Sequence, residues 1–307
     1  MTRVAALDCG TNSLRLLVAD VSGSTLIDVE RRMEVVRLGE GVDRTGRLGD
    51  AALARTFRVL DEYAATIRAL GVERVRMVAT SASRDAENRD EFVRGVLERL
   101  DVPPEVISGD EEANLSFDGA TRDLSDEKVP APYLVVDIGG GSTEFVLGDA
   151  HGPRAARSVD VGCVRMTERH LIDDPPTREQ VEAAIVDIEA AFSRASEVVR
   201  VADARTLVGL AGSVTTVVAL VLGLDSYDPV RIHHATISAD AVSAVTDRLL
   251  ASTRAQRAAL PVMHPGRVDV IGGGALVLDT IMRLGGFAAV TASEHDILDG
   301  IAFSLVD

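Results

Sequence analysis

The chain has 307 residues, 46% of them hydrophobic and 26% charged, with a formal net charge of −16. Its length suits two domains of ordinary size better than one core. The acidic balance argues against nonspecific nucleic-acid binding, which needs a basic footprint, and the longest apolar run, VVALVLGL at 217–224, is too short to span a bilayer.

The N-terminus enters a strand directly, without the apolar segment of a signal peptide. The two cysteines, Cys9 and Cys163, lack the spacing of a zinc site or a redox pair. The sequence therefore predicts a cytoplasmic chain with reduced thiols and neither nucleic acid nor membrane as partner.

In chain order, the first half alternates strands and helices. Strands are expected near 4–8, 14–20, 25–38 and 74–79, with an amphipathic helix from Asp50 to Leu70 ended by Gly71. A second helix is expected over Arg89–Leu100, with Asn88 as N-cap and Glu91 as its capping-box partner. The polar, proline-containing LSDEKVPAP at 124–132 reads as a linker, dividing the chain into domains 1–130 and 131–307, with the final helix able to pack back onto the first. The second half then predicts a helix from Arg178 to about Val201, a strand TLVGL at 206–210 and the helix TTVVALVLG. A strand VDVI at 268–271 is expected next, leading through a triple glycine into the helix ALVLDTIMRLG.

An internal repeat organises this pattern. VVDIGGGSTEFVLGD at 135–149 and VAALDCGTNSLRLLVAD at 4–20 align without a gap, placing Asp137, Gly139, Ser142 and Asp149 over Asp8, Gly10, Ser13 and Asp20. Two related domains, each opening with strand, turn and strand, are the direct reading. Three consecutive glycines leave peptide N–H groups uncovered for an anion, although glycines can also serve turn geometry alone.

Other stretches place polar residues where strands end. ATSASRDAEN at 79–88 offers three hydroxyls and Arg84 at a helix start, a phosphate cradle or an ordinary serine-rich loop. In VISGDEEANLSF at 106–117, Ser108 and Glu111 form a capping box, while Glu112 has no evident structural employment. Glu112 is thus a candidate general base, with a solvated first-turn glutamate as the alternative. Asp8 and Asp137 end their strands, and Glu144 takes the position that Arg15 holds in the first copy. Carboxylates close to a phosphate call for a hard cation between them, which implies Mg²⁺; an Asx turn is the other employment for Asp137. Arg165 and Arg267 read as cleft or surface arginines, and the six histidines as structural, with His233 and His234 possible exceptions.

Seven segments in this order, DCGTNSLRLL, ATSASRDAEN, ISGDEEANL, DIGGGSTE, GCVRMTE, GLAGSVTT and EHDILDGI, resemble the exopolyphosphatase and guanosine pentaphosphate phosphohydrolase family (Ppx/GppA) along the whole chain. The resemblance implies an α/β fold of the actin, sugar-kinase and heat-shock-chaperone type, with duplicated ribonuclease H-like domains and an interdomain cleft. It assigns Glu112 to activation of the attacking water, and Asp137 and Glu144 to catalysis and the metal. It assigns Asn12, Ser13, Arg15, Arg84, Gly139, Gly140, Gly141, Ser142 and Thr143 to phosphate contacts. The implied cofactor is Mg²⁺, with Mn²⁺ as substitute, and the implied assembly a homodimer. The expected activity is release of the terminal phosphate of inorganic polyphosphate, with guanosine pentaphosphate 5′-phosphohydrolase as the alternative. A kinase of the same superfold, and a non-catalytic regulator binding guanosine penta- or tetraphosphate, are the remaining readings. Longer relatives continue where this chain ends at Asp307, so short polyphosphates are the expected substrates.

Overall fold

A computed structural model describes residues 1–124 and 129–306. The middle of the expected linker, 125–128, lies outside the described residues. The chain forms two compact units, Met1–Arg122 with Asp296–Asp307, and Asp123–His295. The first division falls between Arg122 and Asp123, and the C-terminal segment belongs to the first unit.

The first unit holds a five-stranded sheet of β1 (Thr2–Cys9), β2 (Ser13–Ser22), β3 (Thr25–Val35), β4 (Arg74–Ala79) and β5 (Glu105–Val106), in the order β3-β2-β1-β4-β5. β1, β2 and β3 form an antiparallel meander, and β4 and β5 add in parallel. Alternation along β1 sends Ala5, Leu7 and Cys9 to one face and Val4 and Ala6 to the other. The first face packs on Leu53, Leu60 and Tyr63 of the helix Asp50–Ala69 and on Phe92 and Val96 of the helix Arg89–Leu100. The second packs on Ile297, Leu298, Ile301 and Phe303 of the last helix, Ile297–Ser304. That helix lies so close to the helix Gly109–Thr121 that a Cβ on Gly119 would stand 1.8 Å from the Asp296 carbonyl oxygen, and one on Gly300 2.0 Å from that of Leu115. Only glycine admits such an approach.

The second unit repeats the plan. β6 (Tyr133–Ile138), β7 (Thr143–Asp149) and β8 (Gly152–Val159) form the meander, and β9 (Thr206–Leu210) and β11 (Ala289–Ala292) add in parallel, with β10 (Thr236–Ser238) antiparallel at the edge. The copies agree in detail. Gly10 N–H donates to the Ser13 carbonyl at 3.0 Å, and Gly139 N–H to that of Ser142 at 3.0 Å. The register shift between Val18 and Ala19 recurs at the aligned Leu147 and Gly148. A shared bulge is a constructional feature of a hairpin, so these agreements support the duplication beyond the sequence pattern.

Two local expectations fail. VDVI at 268–271 is not a strand: a turn follows Pro265–Arg267, and Ile271 already opens the helix Ile271–Gly285. Three apolar residues around Asp269 are too few to distinguish strand from turn, and only Ile271 enters the helix, whose glycines fit against neighbours, a Cβ on Gly274 falling 2.2 Å from Ser213 Oγ. Asn88 does not cap its helix with its side chain. Its amide instead accepts from Leu48 N–H at 2.8 Å and donates to the Leu48 carbonyl at 3.0 Å, holding two loops together. Among the described residues, no helix is long and apolar enough to cross a membrane.

Candidate active site

In the first unit, β4 ends at Ala79 and the chain turns through Thr80 into the short helix Ser81–Asp85. Arg84 leaves this turn and donates from Nη1 to the Ile107 carbonyl at 3.0 Å and to Glu112 Oε2 at 3.1 Å. The expected base and the expected phosphate arginine therefore meet, and Glu112, which the sequence left without employment, has a partner. It is buried, whereas Glu111 is exposed and pairs with Arg76 at 2.8 Å. Ser108 Oγ caps the helix by accepting from Glu111 N–H at 3.2 Å, so the cap uses the backbone of Glu111 and leaves its carboxylate to Arg76. The fully buried Ser83 hydroxyl has no hydrogen-bond partner among the described residues.

The first hairpin gives Arg15 two carboxylate partners. All three of its guanidinium nitrogens are engaged, Nε and Nη2 with Asp8 at 2.9 and 2.7 Å and Nη1 with Asp296. Burial pushes the Asp296 carboxyl up, but the Arg15 guanidinium and the Leu298 N–H outweigh it and hold the group below the ordinary range. Arg15 thus joins the first hairpin to the cap of the last helix. Asn12 and Ser13 stay half-buried in the turn, where the Asn12 carbonyl accepts from Val36 and Arg37.

In the second unit, the carbonyls of Gly139 and Gly140 accept from Cys163, Val164 and Arg165 at the start of the helix Cys163–Arg169. None of Gly139, Gly140 and Gly141 has a positive φ. A close approach requires glycine at the neighbouring position 162, where a Cβ would lie 2.5 Å from the Gly140 carbonyl oxygen, whereas one on Gly139 would stand 3.1 Å from the Ser142 carbonyl oxygen. The Gly140 and Gly141 N–H groups make no backbone hydrogen bond among the described residues, which suits an anion. Ser142 is buried beside them. Thr143 is fully buried and donates its hydroxyl to the Val161 carbonyl at 2.6 Å.

Asp137 and Glu144 are direct cross-strand partners, as Asp8 and Arg15 are in the first copy. Both are buried, Asp137 at 7% exposure and Glu144 at 1%, and Glu144 Oε1 accepts from Ser158 Oγ at 2.8 Å. Two facing carboxylates form the all-oxygen, doubly negative donor set that a hard divalent cation takes. Arg267, ambiguous in the sequence, lies over the start of the helix Ala211–Val221, its Cζ 2.3 Å from where a Gly212 Cβ would be, and donates to Thr216 Oγ1 at 3.3 Å. No spacing rule connects positions 212 and 267, so only the fold could bring them together.

Two α/β units open on the same hairpin, one with glycine amides that make no backbone hydrogen bond among the described residues and the other with an arginine–carboxylate pair, features that suit a phosphate-handling protein. The model of the Ppx/GppA phosphatase family matches residues 17–307, and the chain belongs to that family. It is 49% identical to Exopolyphosphatase 2 of Mycobacterium tuberculosis over 99% of each chain. The crystal structure of an exopolyphosphatase-like protein superposes with a TM-score of 0.96 at 42% identity, covering 99% of this chain and 98% of that one. The Aquifex aeolicus family member superposes with a TM-score of 0.81 at 29% identity, covering 99% of this chain and 97% of that one.

Proposed function

We propose that this chain is an exopolyphosphatase that cleaves the terminal phosphate of inorganic polyphosphate, with Mg²⁺ as cofactor. The observation that carries the reading is the Arg84–Glu112 pair, which fixes a buried carboxylate beside a guanidinium at the end of a strand. The 49% identity to a protein named exopolyphosphatase supports the choice of substrate.

Phosphoryl transfer demands positioning and charge stabilisation more than covalent chemistry. Glu112 orients a water and takes its proton as the water oxygen bonds to the terminal phosphorus. The bond to the bridging oxygen breaks, and orthophosphate and the shortened chain depart. The Gly140 and Gly141 N–H groups donate to phosphate oxygens, and the Arg84 guanidinium stabilises charge that grows in the transition state. Asp137 and Glu144 would hold Mg²⁺, which would supply neutralisation of phosphate charge.

Phosphate release from polyphosphates of defined length, guanosine pentaphosphate and ATP, with and without Mg²⁺, tests the reading. Polyphosphate is expected to be turned over with the highest kcat/KM, and only with the cation. A higher kcat/KM on guanosine pentaphosphate would overturn the substrate assignment, and no release from any of the three would overturn the activity.

A further inference from the structure

Three histidines gather around one carboxylate in the second unit. His233 Nε2 stands 2.8 Å from Asp123 Oδ2, His295 Nδ1 stands 3.0 Å from the same oxygen, and His234 Nε2 stands 3.6 Å from Asp123 Oδ1. The His233 ring lies 3.8 Å from that of His234 and 4.5 Å from that of His295, centroid to centroid. His234 Nε2 is buried without a hydrogen-bond partner among the described residues. Nothing in phosphate hydrolysis calls on this group, and its members lie 110 and 62 positions apart in the sequence.

We propose that Asp123, His233 and His295 form a binding site for a first-row transition-metal ion such as Zn²⁺, separate from the Mg²⁺ site and with His234 at its edge. One ligand atom from each of the three lies within 4.8 Å of the others. Metal–ligand bonds of about 2.0–2.2 Å in a tetrahedral site put ligand atoms about 3.4 Å apart, so the 2.8 and 3.0 Å contacts to Asp123 open by about half an ångström, within reach of modest side-chain rotations. Two imidazoles with one carboxylate suit Zn²⁺ and its neighbours, whereas the all-carboxylate pair Asp137–Glu144 suits a hard cation.

The surroundings hold the donors in place. Ser293 Oγ donates to the His295 carbonyl at 2.8 Å, and the Tyr227 hydroxyl lies 2.6 Å from Glu294 Oε1. Glu294 N–H donates to His233 Nδ1 at 3.1 Å, which puts the proton of neutral His233 on Nε2, facing Asp123. Metal entry therefore requires His233 to exchange tautomers, moving its proton to Nδ1, and the Glu294 amide to release it. Asp123 and His295 are also the first and last residues of their unit, so the ion would fasten together the two places where the chain crosses between units.

Co²⁺ is the probe, added to the full chain in excess Mg²⁺, with visible absorption reporting coordination and ¹⁵N-detected imidazole resonances reporting which histidines take part. One equivalent is expected to bind, to be displaced by Zn²⁺, and to shift His233 and His295. Asp123→Asn and His295→Gln should weaken binding by about 10–100-fold or more, while Asp137→Asn and Glu144→Gln leave it unchanged. Circular dichroism establishes that each variant is folded, and the imidazole resonances of the unaltered chain decide the matter if Asp123→Asn is not. Absence of a stoichiometric Co²⁺ complex, shifts confined to other histidines, or binding lost with Asp137 and kept without His295 would each overturn the proposal.

Discussion

Replacing Glu112 by glutamine separates the proposed base from a merely structural carboxylate, because the two roles predict losses of different size. Glutamine keeps the shape of the side chain and an oxygen for Arg84, so the 3.1 Å contact survives as a hydrogen bond without the carboxylate charge. A charge-assisted bond contributes about 1.5–3 kcal/mol and a neutral one about 0.5–1.5, so the expected loss of stability is about 1 kcal/mol. Removing a general base lowers turnover by about 10²–10⁴, or about 3–5 kcal/mol of transition-state stabilisation. Glu111→Gln is the control. Its carboxylate is 46% exposed and meets only Arg76, a pairing of about 0–1 kcal/mol, and its backbone N–H keeps the Ser108 cap. Phosphate release resolved into kcat and KM, alongside urea unfolding, reads both quantities. Equal loss of turnover in the two variants would refute the assignment, as would a Glu112→Gln protein whose inactivity followed from unfolding.

Asp137→Asn and Glu144→Gln should each raise the Mg²⁺ concentration for half-maximal rate, Asp137→Asn more, because Glu144 is less exposed and already accepts from Ser158. An unchanged Mg²⁺ titration in both would leave these residues as hairpin formers. Arg15→Ala should destabilise the protein by about 3–5 kcal/mol, since Asp8 and Asp296 lose the guanidinium that serves both, with KM little altered. A tenfold rise in KM at unchanged unfolding midpoint would instead return Arg15 to the substrate. Gly162→Ala should push the Gly140 carbonyl away from its 2.5 Å approach and lower kcat by about 10²-fold. Wild-type kinetics in that variant would mean that the glycine loop does not cradle the phosphate.

The repeat was legible in the sequence because a hairpin fixes its residues locally: aspartate at the strand end, glycine in the turn and serine on the return strand keep one spacing in both copies. The Ser108 cap was legible from its residue type, and it singled out Glu112 as the candidate, although the Glu111 carboxylate goes to Arg76 rather than back to the cap. The partners were not legible, because they come from the fold. Asp296 lies 281 positions from Arg15, and no local rule connects them. The partner of the Thr143 hydroxyl, the Val161 carbonyl on the chain leaving β8, was illegible for the same reason. Asn88 had the right residue type for a cap, but the Leu48 backbone offered it a donor and an acceptor at once, which a helix end does not. The strands β5 and β10, two and three residues long, are too short for alternation to register.

The exchange of Arg15 for Glu144 divides the labour between two hairpins of the same construction. In the first, the residue opposite Asp8 is a cation, so the hairpin satisfies its own buried charge and reaches on to Asp296. In the second, the residue opposite Asp137 is a carboxylate. Side chains directly opposed in an antiparallel pair lie roughly 5 Å apart, and two negative charges at that distance repel by about 3 kcal/mol at an effective dielectric of about 20. A divalent cation between them, as in the proposed Mg²⁺ site, would offset that repulsion, and the second hairpin would then gain from a metal what the first gains from its own arginine. On the proposed reading, one difference of charge separates a structural hairpin from a cation site, and the copy with the second carboxylate also carries Gly140 and Gly141, whose N–H groups make no backbone hydrogen bond among the described residues.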